Sequence, residues 1–311
     1  SLVATSSEKP RLKLVMGKLY LGVILKDYGK RLYTIYMEDA PNSIQKGLIN
    51  ETLDFVKSDF LPGILNFGRW KALSLRSLRA MNRRAKLGFL WVIMSATVFV
   101  VAVSLAYSLV FNIDVDVLLP YIATGYITWA LIMSALTSMP ILFTTYAAYI
   151  TQKNLPLTVY VTANAFEKMV VFIAQSLVIL VTCCVFKTGV SLALLILPIS
   201  LTLIFLTAIG ASFFIGVAAV RYRDLGQVVN SSLLIIFLLT PIIWKPEFSG
   251  KRALIVELNP IYHFIHIIRA PILEHEIPLM SLLVTSGICL SFFLLGFVVM
   301  AAYRHRIVFW L

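Results

Sequence analysis

Charge is scarce in this chain. Charged residues make up 14% of its 311 residues, only 15 of them acidic, where a soluble domain carries about a quarter. With 59% hydrophobic residues and a mean hydropathy of +0.89, that shortage excludes an ordinary soluble domain and points to lipid as the solvent. Cysteine is equally sparse: Cys183, Cys184 and Cys289 all fall within apolar runs, so neither a disulfide framework nor a zinc spacing exists and the three read as small apolar fillers. A phosphate-cradling Gly-x-x-x-x-Gly-Lys-Ser/Thr loop is missing, because Gly17-Lys18, Gly29-Lys30 and Gly250-Lys251 each lack the upstream glycine and the following hydroxyl. No ATPase is built into this sequence. A cleavable signal peptide is not expected either, since Lys9, Arg11, Lys13 and Lys18 interrupt any early apolar run, and the opening Ser1 suggests a trimmed start.

What is present is a series of apolar blocks about 20 residues long, the length a helix needs to cross hydrocarbon, without the short alternating segments of a membrane barrel. The fold class expected is all-α integral membrane: six transmembrane helices over 87–111, 118–143, 160–186, 190–220, 228–244 and 279–303. The fifth run, about 26 Å long, is only just sufficient. Between the fifth and sixth spans, 260–273 is apolar but too short to cross, and it carries His263, His266, Arg269 and Pro271. Irregular backbone at membrane depth survives only under cover of protein or water, so two short re-entrant helices are expected here. Asn259 and Pro260 supply an N-cap and first-turn proline for one of them.

The net charge of +12 is concentrated rather than spread. Residues 1–60 hold nine Lys/Arg against seven Asp/Glu, 61–86 hold seven against none, and 87–311 hold eleven against eight. A basic collar directly before the first span suits anionic headgroups and a cytoplasmic flank, not nucleic acid. Three domains follow: a cytoplasmic extension over 1–60, with a possible hairpin over 19–37 and a helix after Pro41; an amphipathic interface helix over 61–86; and a permease domain over 87–311. An even number of spans puts both termini on the cytoplasmic side.

Individual residues are weighed against blander roles. Asp114-Val115-Asp116 sits in a loop too short for nucleotide-sugar chemistry, and His263 with His266 lacks a third metal ligand. Glu167-Lys168 matters more, because charge at membrane depth is costly; adjacent helical residues do not face each other, so at least one is expected to need another partner. Ala208, Ser212 and Gly216 mark a close helix contact by their four-residue spacing. Aromatics, Tyr121, Tyr126, Trp129 and Trp244 among them, gather toward span ends, where an interfacial belt is the ordinary reading and a sugar-stacking lining the alternative.

The order of several short motifs resembles one family. A basic run enters Leu87-Gly88-Phe89-Leu90-Trp91, and Lys153-Asn154-Leu155-Pro156, Arg221-Tyr222-Arg223-Asp224-Leu225, Thr240-Pro241-Ile242-Ile243-Trp244 and Leu258-Asn259-Pro260-Ile261-Tyr262-His263 follow. Over 66–311 this is similar to the permease subunits of ATP-binding cassette exporters for O-antigen, capsule and teichoic acid polysaccharides, of the type-2 kind. The resemblance implies a multi-pass subunit of the bacterial inner membrane, paired with a second copy around a canal and with a nucleotide-binding ATPase subunit beneath each. ATP and Mg would sit on that partner, with no cofactor in this chain. Gln152, Lys153, Asn154, Leu155 and Pro156 would contact the ATPase. Arg83, Arg84, Lys86, Leu87 and Gly88 would flank the entrance for a lipid-linked diphosphate, which arginine forks suit. Tyr121, Tyr126, Trp129, Glu167, Trp244, Pro260, Tyr262 and His263 form the candidate canal or gate. The extension before residue 61 is longer than the resemblance accounts for. An exporter of a drug or small lipid is the nearest alternative, and a membrane-embedded glycosyl or prenyl transferase a more distant one, because only Asp114 and Asp116 cluster as catalytic carboxylates would.

Overall fold

The chain divides into two units, Ser1–Glu51 and Thr52–Leu311. The computed structural model describes residues 50–82, 88–153, 155–244 and 256–311, so the architecture below is that of the second unit. The hairpin expected over 19–37 lies outside the described residues.

Every regular element among the described residues is helical. Helix α1 runs through 52–65 with a π-helical turn at Val56–Phe60. It breaks at Asn66, and α2 follows over Phe67–Asn82. The last turn of α1 and all of α2 fall in 61–86, the segment expected as one interface helix, while the rest of α1 falls in the helix expected after Pro41. The break lets Trp70 turn back and donate its indole N–H to the Ile64 carbonyl at 3.0 Å. Trp70, Ser74 and Leu78 are buried at successive turns while Arg69, Lys71, Arg76 and Arg79 are exposed, the two faces an amphipathic helix needs.

Among the described residues, five helices are long and apolar enough to cross a membrane: α3 Leu90–Phe111, α4 Val115–Ser138, α7 Leu157–Val185, a run over Leu192–Arg221 that opens with a 3₁₀ turn before α8 Leu197–Arg221, and α11 Leu279–Trp310. Two short helices, α5 Leu142–Thr145 and α6 Ala147–Gln152, connect α4 to α7. The sixth apolar helix, α9 Leu225–Leu239, has 15 residues, or about 22 Å. It ends before the 228–244 run does because Pro241, with no N–H to give, follows the C-cap residue Thr240 and 241–244 turn away. Helix α4 is the centre of the bundle: 72% of its most apolar window is buried, against 17% for α3 and α11.

Among the described residues of the stretch expected to hold two short re-entrant helices, 256–257 are helical and, after a turn at 258, a longer helical run follows from 260. Helix α10 Pro260–Arg269 passes directly into a π turn at Ala270–Glu274. Asn259 starts it as an N-cap, its side chain accepting from the Ile261 N–H at 2.9 Å. Pro271 does not end the run, because the wider π turn accommodates the hydrogen bond that proline cannot donate. The run stops at His275, in the left-handed conformation.

Close helix contact does occur along α8, offset from the spacing expected. A methyl group on Gly296 of α11 would lie 2.5 Å from the Gly210 carbonyl oxygen, and one on Gly210 would lie 2.9 Å from the Phe293 nitrogen. Backbones meet there with no side chain between them. Gly216 instead faces Phe143 of α5, 3.0 Å from a built methyl. Phe55 and Phe60 of α1 join Phe213, Phe293 and Phe297 in an edge-to-face cluster that binds α1 to α8 and α11.

Candidate functional site

Chemistry-bearing residues gather at the two ends of the bundle. At one end, the 153–156 turn leads into α7. Gln152 and Lys153 are exposed, Leu155 and Pro156 half-buried, and Asn154 lies outside the described residues. The first turn of α7 leaves backbone N–H groups without helical partners, and a distant carboxylate takes them. Asp59 of α1 accepts from the Leu157 N–H at 2.8 Å, the Thr158 N–H at 2.9 Å and the Thr158 hydroxyl at 2.7 Å. The group is only 8% exposed, and the positive end of α7 offsets its charge. Beside it Arg304 of α11 pairs with Asp54 and donates to the Ser58 hydroxyl at 2.7 Å. Gly63 lets α1 approach, since a methyl there would lie 2.5 Å from Thr158 Cβ. On the other flank of α7, the Ser74 hydroxyl of α2 donates to the Ala163 carbonyl at 2.7 Å and Trp70 packs edge-on against Phe166 at 5.0 Å. The turn, α1, α2 and the end of α11 thus share one foundation.

Glu167 lies on this half of α7, and its partner corrects the sequence-based expectation. Lys168 Nζ lies 2.7 Å from Glu167 Oε1, so the neighbours pair with each other. The rule that adjacent residues diverge describes their Cβ directions, and the long flexible lysine stem folds back across that divergence. Burial, with the nearby Glu167 carboxylate adding to it, pushes the Tyr146 phenol up to about 12.

At the other end, the centre is Arg269. It is 2% exposed in an apolar bundle, a placement that requires partners. Nη1 donates to the Pro241 carbonyl at 2.9 Å and Nη2 to the Ile242 carbonyl at 3.2 Å, the two peptide groups left open where α9 ends. The guanidinium lies 3.8 Å from the centroid of the Tyr121 ring, and the Tyr121 hydroxyl donates to the Trp244 carbonyl at 3.1 Å. Gly125 makes room, because a methyl there would sit 2.0 Å from Nη2. Around the same helix, His263 lies 2.9 Å from the Ser281 hydroxyl and 2.7 Å from the Glu257 carbonyl. His266 stacks on Tyr262 at 5.1 Å and lies 3.4 Å from Glu274. No group of three metal-ligating side chains occurs among the described residues.

Of the residues expected to form a canal or gate, Tyr121, Trp244, Tyr262 and His263 meet around Arg269 and its helix, which Pro260 opens. Tyr126 and Trp129 do not join them: Tyr126 stacks on Phe99 of α3 at 4.0 Å, and Trp129 packs against Phe237 of α9 at 5.7 Å. Glu167 belongs to the other end. Arg83, Arg84, Lys86 and Leu87 lie outside the described residues, and Gly88 forms a turn with φ of 53°. Sequence reasoning gave neither Asp59 nor Arg269 a role. For Arg269 a signal existed, an arginine in an otherwise apolar helical run; for Asp59 there was none, since its partners lie 98 and 99 residues away.

Residues 68–273 match the description of the ABC-2 type transporter family. The chain is also similar to an O-antigen export system permease protein, RfbA, of Myxococcus xanthus, with 20% identity over 210 residues that cover 67% of this chain and 81% of that protein. The family match spans well over half of the sequence, and with a bundle of apolar helices and no nucleotide-binding loop it leads to one conclusion: this chain belongs to the ABC-2 type transporter family, as a membrane subunit of an exporter.

Proposed function

We propose that the chain is the membrane-spanning subunit of an exporter that carries a lipid-linked polysaccharide across the bacterial inner membrane, driven by ATP hydrolysis on a separate subunit. Two copies enclose the path. Family membership over 68–273 carries the transport reading, and similarity to an O-antigen export permease supports the glycan. In this reading α9 is the fifth of six crossings, the 260–274 run is re-entrant, both termini are cytoplasmic, and the basic collar before α3 meets the lipid diphosphate.

The ATPase subunit docks against the exposed corner at Gln152 and Lys153. A push there passes into α7, because Asp59 ties the first turn of that helix to α1 and thereby to α11. The corner therefore acts as a handle on a rigid base. Purification from native membranes tests the whole reading: an ATP-binding subunit and a lipid-linked sugar are expected to accompany the chain. Sustained ATP hydrolysis by the isolated chain, or recovery with small lipids and no sugar, would overturn it.

A further inference from the structure

A cavity of about 510 Å³ opens between the start of α4, the loop after α7 and the 260–274 run. Its polar wall is Asp116, Thr188, Tyr262, His266, Arg269 and Glu274. Thr188 is held in place at both ends of its peptide, its N–H donating to the Cys183 carbonyl at 3.2 Å and its own carbonyl lying 2.8 Å from His275 Nε2. Its hydroxyl is nevertheless buried without a partner in the chain, and so is Nε of the fully enclosed Arg269. Two orphaned polar atoms in the lining of one cavity are costly unless something that enters it satisfies them.

The balance of charge narrows what enters. Two carboxylates, Asp116 and Glu274, stand against one guanidinium, whose Nη atoms already serve the carbonyls of Pro241 and Ile242. An anion would meet net repulsion, and an apolar group would strip these side chains of water without replacing it. A neutral, hydroxyl-rich ring fits, because each hydroxyl donates to a carboxylate and accepts from a guanidinium or another hydroxyl, and the stacked Tyr262 and His266 rings offer a flat face. An apolar groove of about 650 Å³ adjoins the cavity. Thr188 lies on the rim of both, and the groove is lined by Ile173, Leu180, Leu194, Leu201 and Ile272. We propose that the cavity binds a sugar ring of a lipid-linked glycan while the groove holds its hydrocarbon anchor, an assignment that rests on the transport reading above.

Photocrosslinking in cells that make the glycan, with the full chain and its ATPase partner, tests this. Val117 lines the cavity and is 49% exposed, so Val117→benzoylphenylalanine samples its contents; the same change at Val228, at the start of α9, is the control. Irradiation is expected to give an adduct at 117 that stains for carbohydrate after periodate oxidation, with none at 228. Thr188→Val removes only a hydroxyl unpaired within the chain, so folding survives, and it is expected to reduce the sugar adduct about fivefold. An adduct at 117 free of carbohydrate, or a sugar adduct undiminished by Thr188→Val, overturns the assignment. Export measured in the same cells separates the two readings. Export that requires the chain but gives no sugar at 117 sinks the site alone, whereas export that continues without the chain sinks the transport reading.

Discussion

Arg269 shows how a single side chain can close the ends of two elements. It supplies donors for the carbonyls beyond α9, and its flat cation rests on Tyr121. Arg269→Met fills much of the volume but removes the charged donors from both carbonyls, leaving only the Tyr121 hydroxyl at 3.4 Å on that of Pro241, and charged hydrogen bonds contribute about 1.5–3 kcal/mol each. A loss of about 3 kcal/mol is expected, read as a lower thermal midpoint of the purified protein. Arg269→Lys restores charge but not the fork, so it should recover less than half of that shift. Asp59 poses the matching case at the other end. Asp59→Ala removes three acceptor contacts from the start of α7 and is expected to cost about 1–2 kcal/mol, with ATP hydrolysis by the assembled exporter continuing while export falls. Wild-type coupling in that variant would show that the capped turn does not carry the stroke.

At the scale of elements, hydropathy revealed what it physically measures. The long apolar runs that became α3, α4, α7, α8 and α11 were legible because crossing hydrocarbon demands length and greasiness together. Helix α9 was less so, since composition continues past Thr240 while the helical hydrogen bonds do not; only the missing N–H of Pro241 marks the stop. The start of the 260–274 run was legible in Asn259 and Pro260, whereas the π turn that carries it past Pro271 leaves no mark in composition. Tyr126 and Trp129 could not be separated from Tyr121 by sequence, because which side of a helix faces a cavity depends on neighbours far along the chain. Gly210 and Gly296 were silent for the same reason, being 86 residues apart by their numbers. Their contact makes a sharp demand. Gly296→Leu has to drive α11 away from α8, and overpacking of about 1–3 kcal/mol is expected, visible as reduced thermal stability; Gly287→Leu, where a methyl meets nothing within 4 Å, should be near neutral.

For the whole molecule, the two chemical centres occupy opposite ends of the bundle, and a transport cycle has to relate them. Leu155→Asp with Pro156→Ala disturbs the corner where the ATPase is proposed to dock; hydrolysis without export is expected, and tight coupling would show the corner misassigned. Arg83→Glu with Arg84→Glu reverses the collar proposed to meet the diphosphate. That variant should assemble with its partner in normal amount yet export at least about tenfold less, consistent with the loss of one or two charge-assisted contacts. Undiminished export would remove these arginines from the substrate path. Basic segments beside a first span are readable from sequence because a count of Lys and Arg near the span end is enough to find them, whereas the Asp59 and Arg269 centres depend on folded geometry and emerged only with it.

The carboxylate under α7 also limits how this protein can be re-engineered. The corner proposed for docking and its lock are separated by nearly a hundred positions of sequence, so a corner transplanted from another transporter would arrive unfastened, and a working hybrid has to inherit α1 along with it.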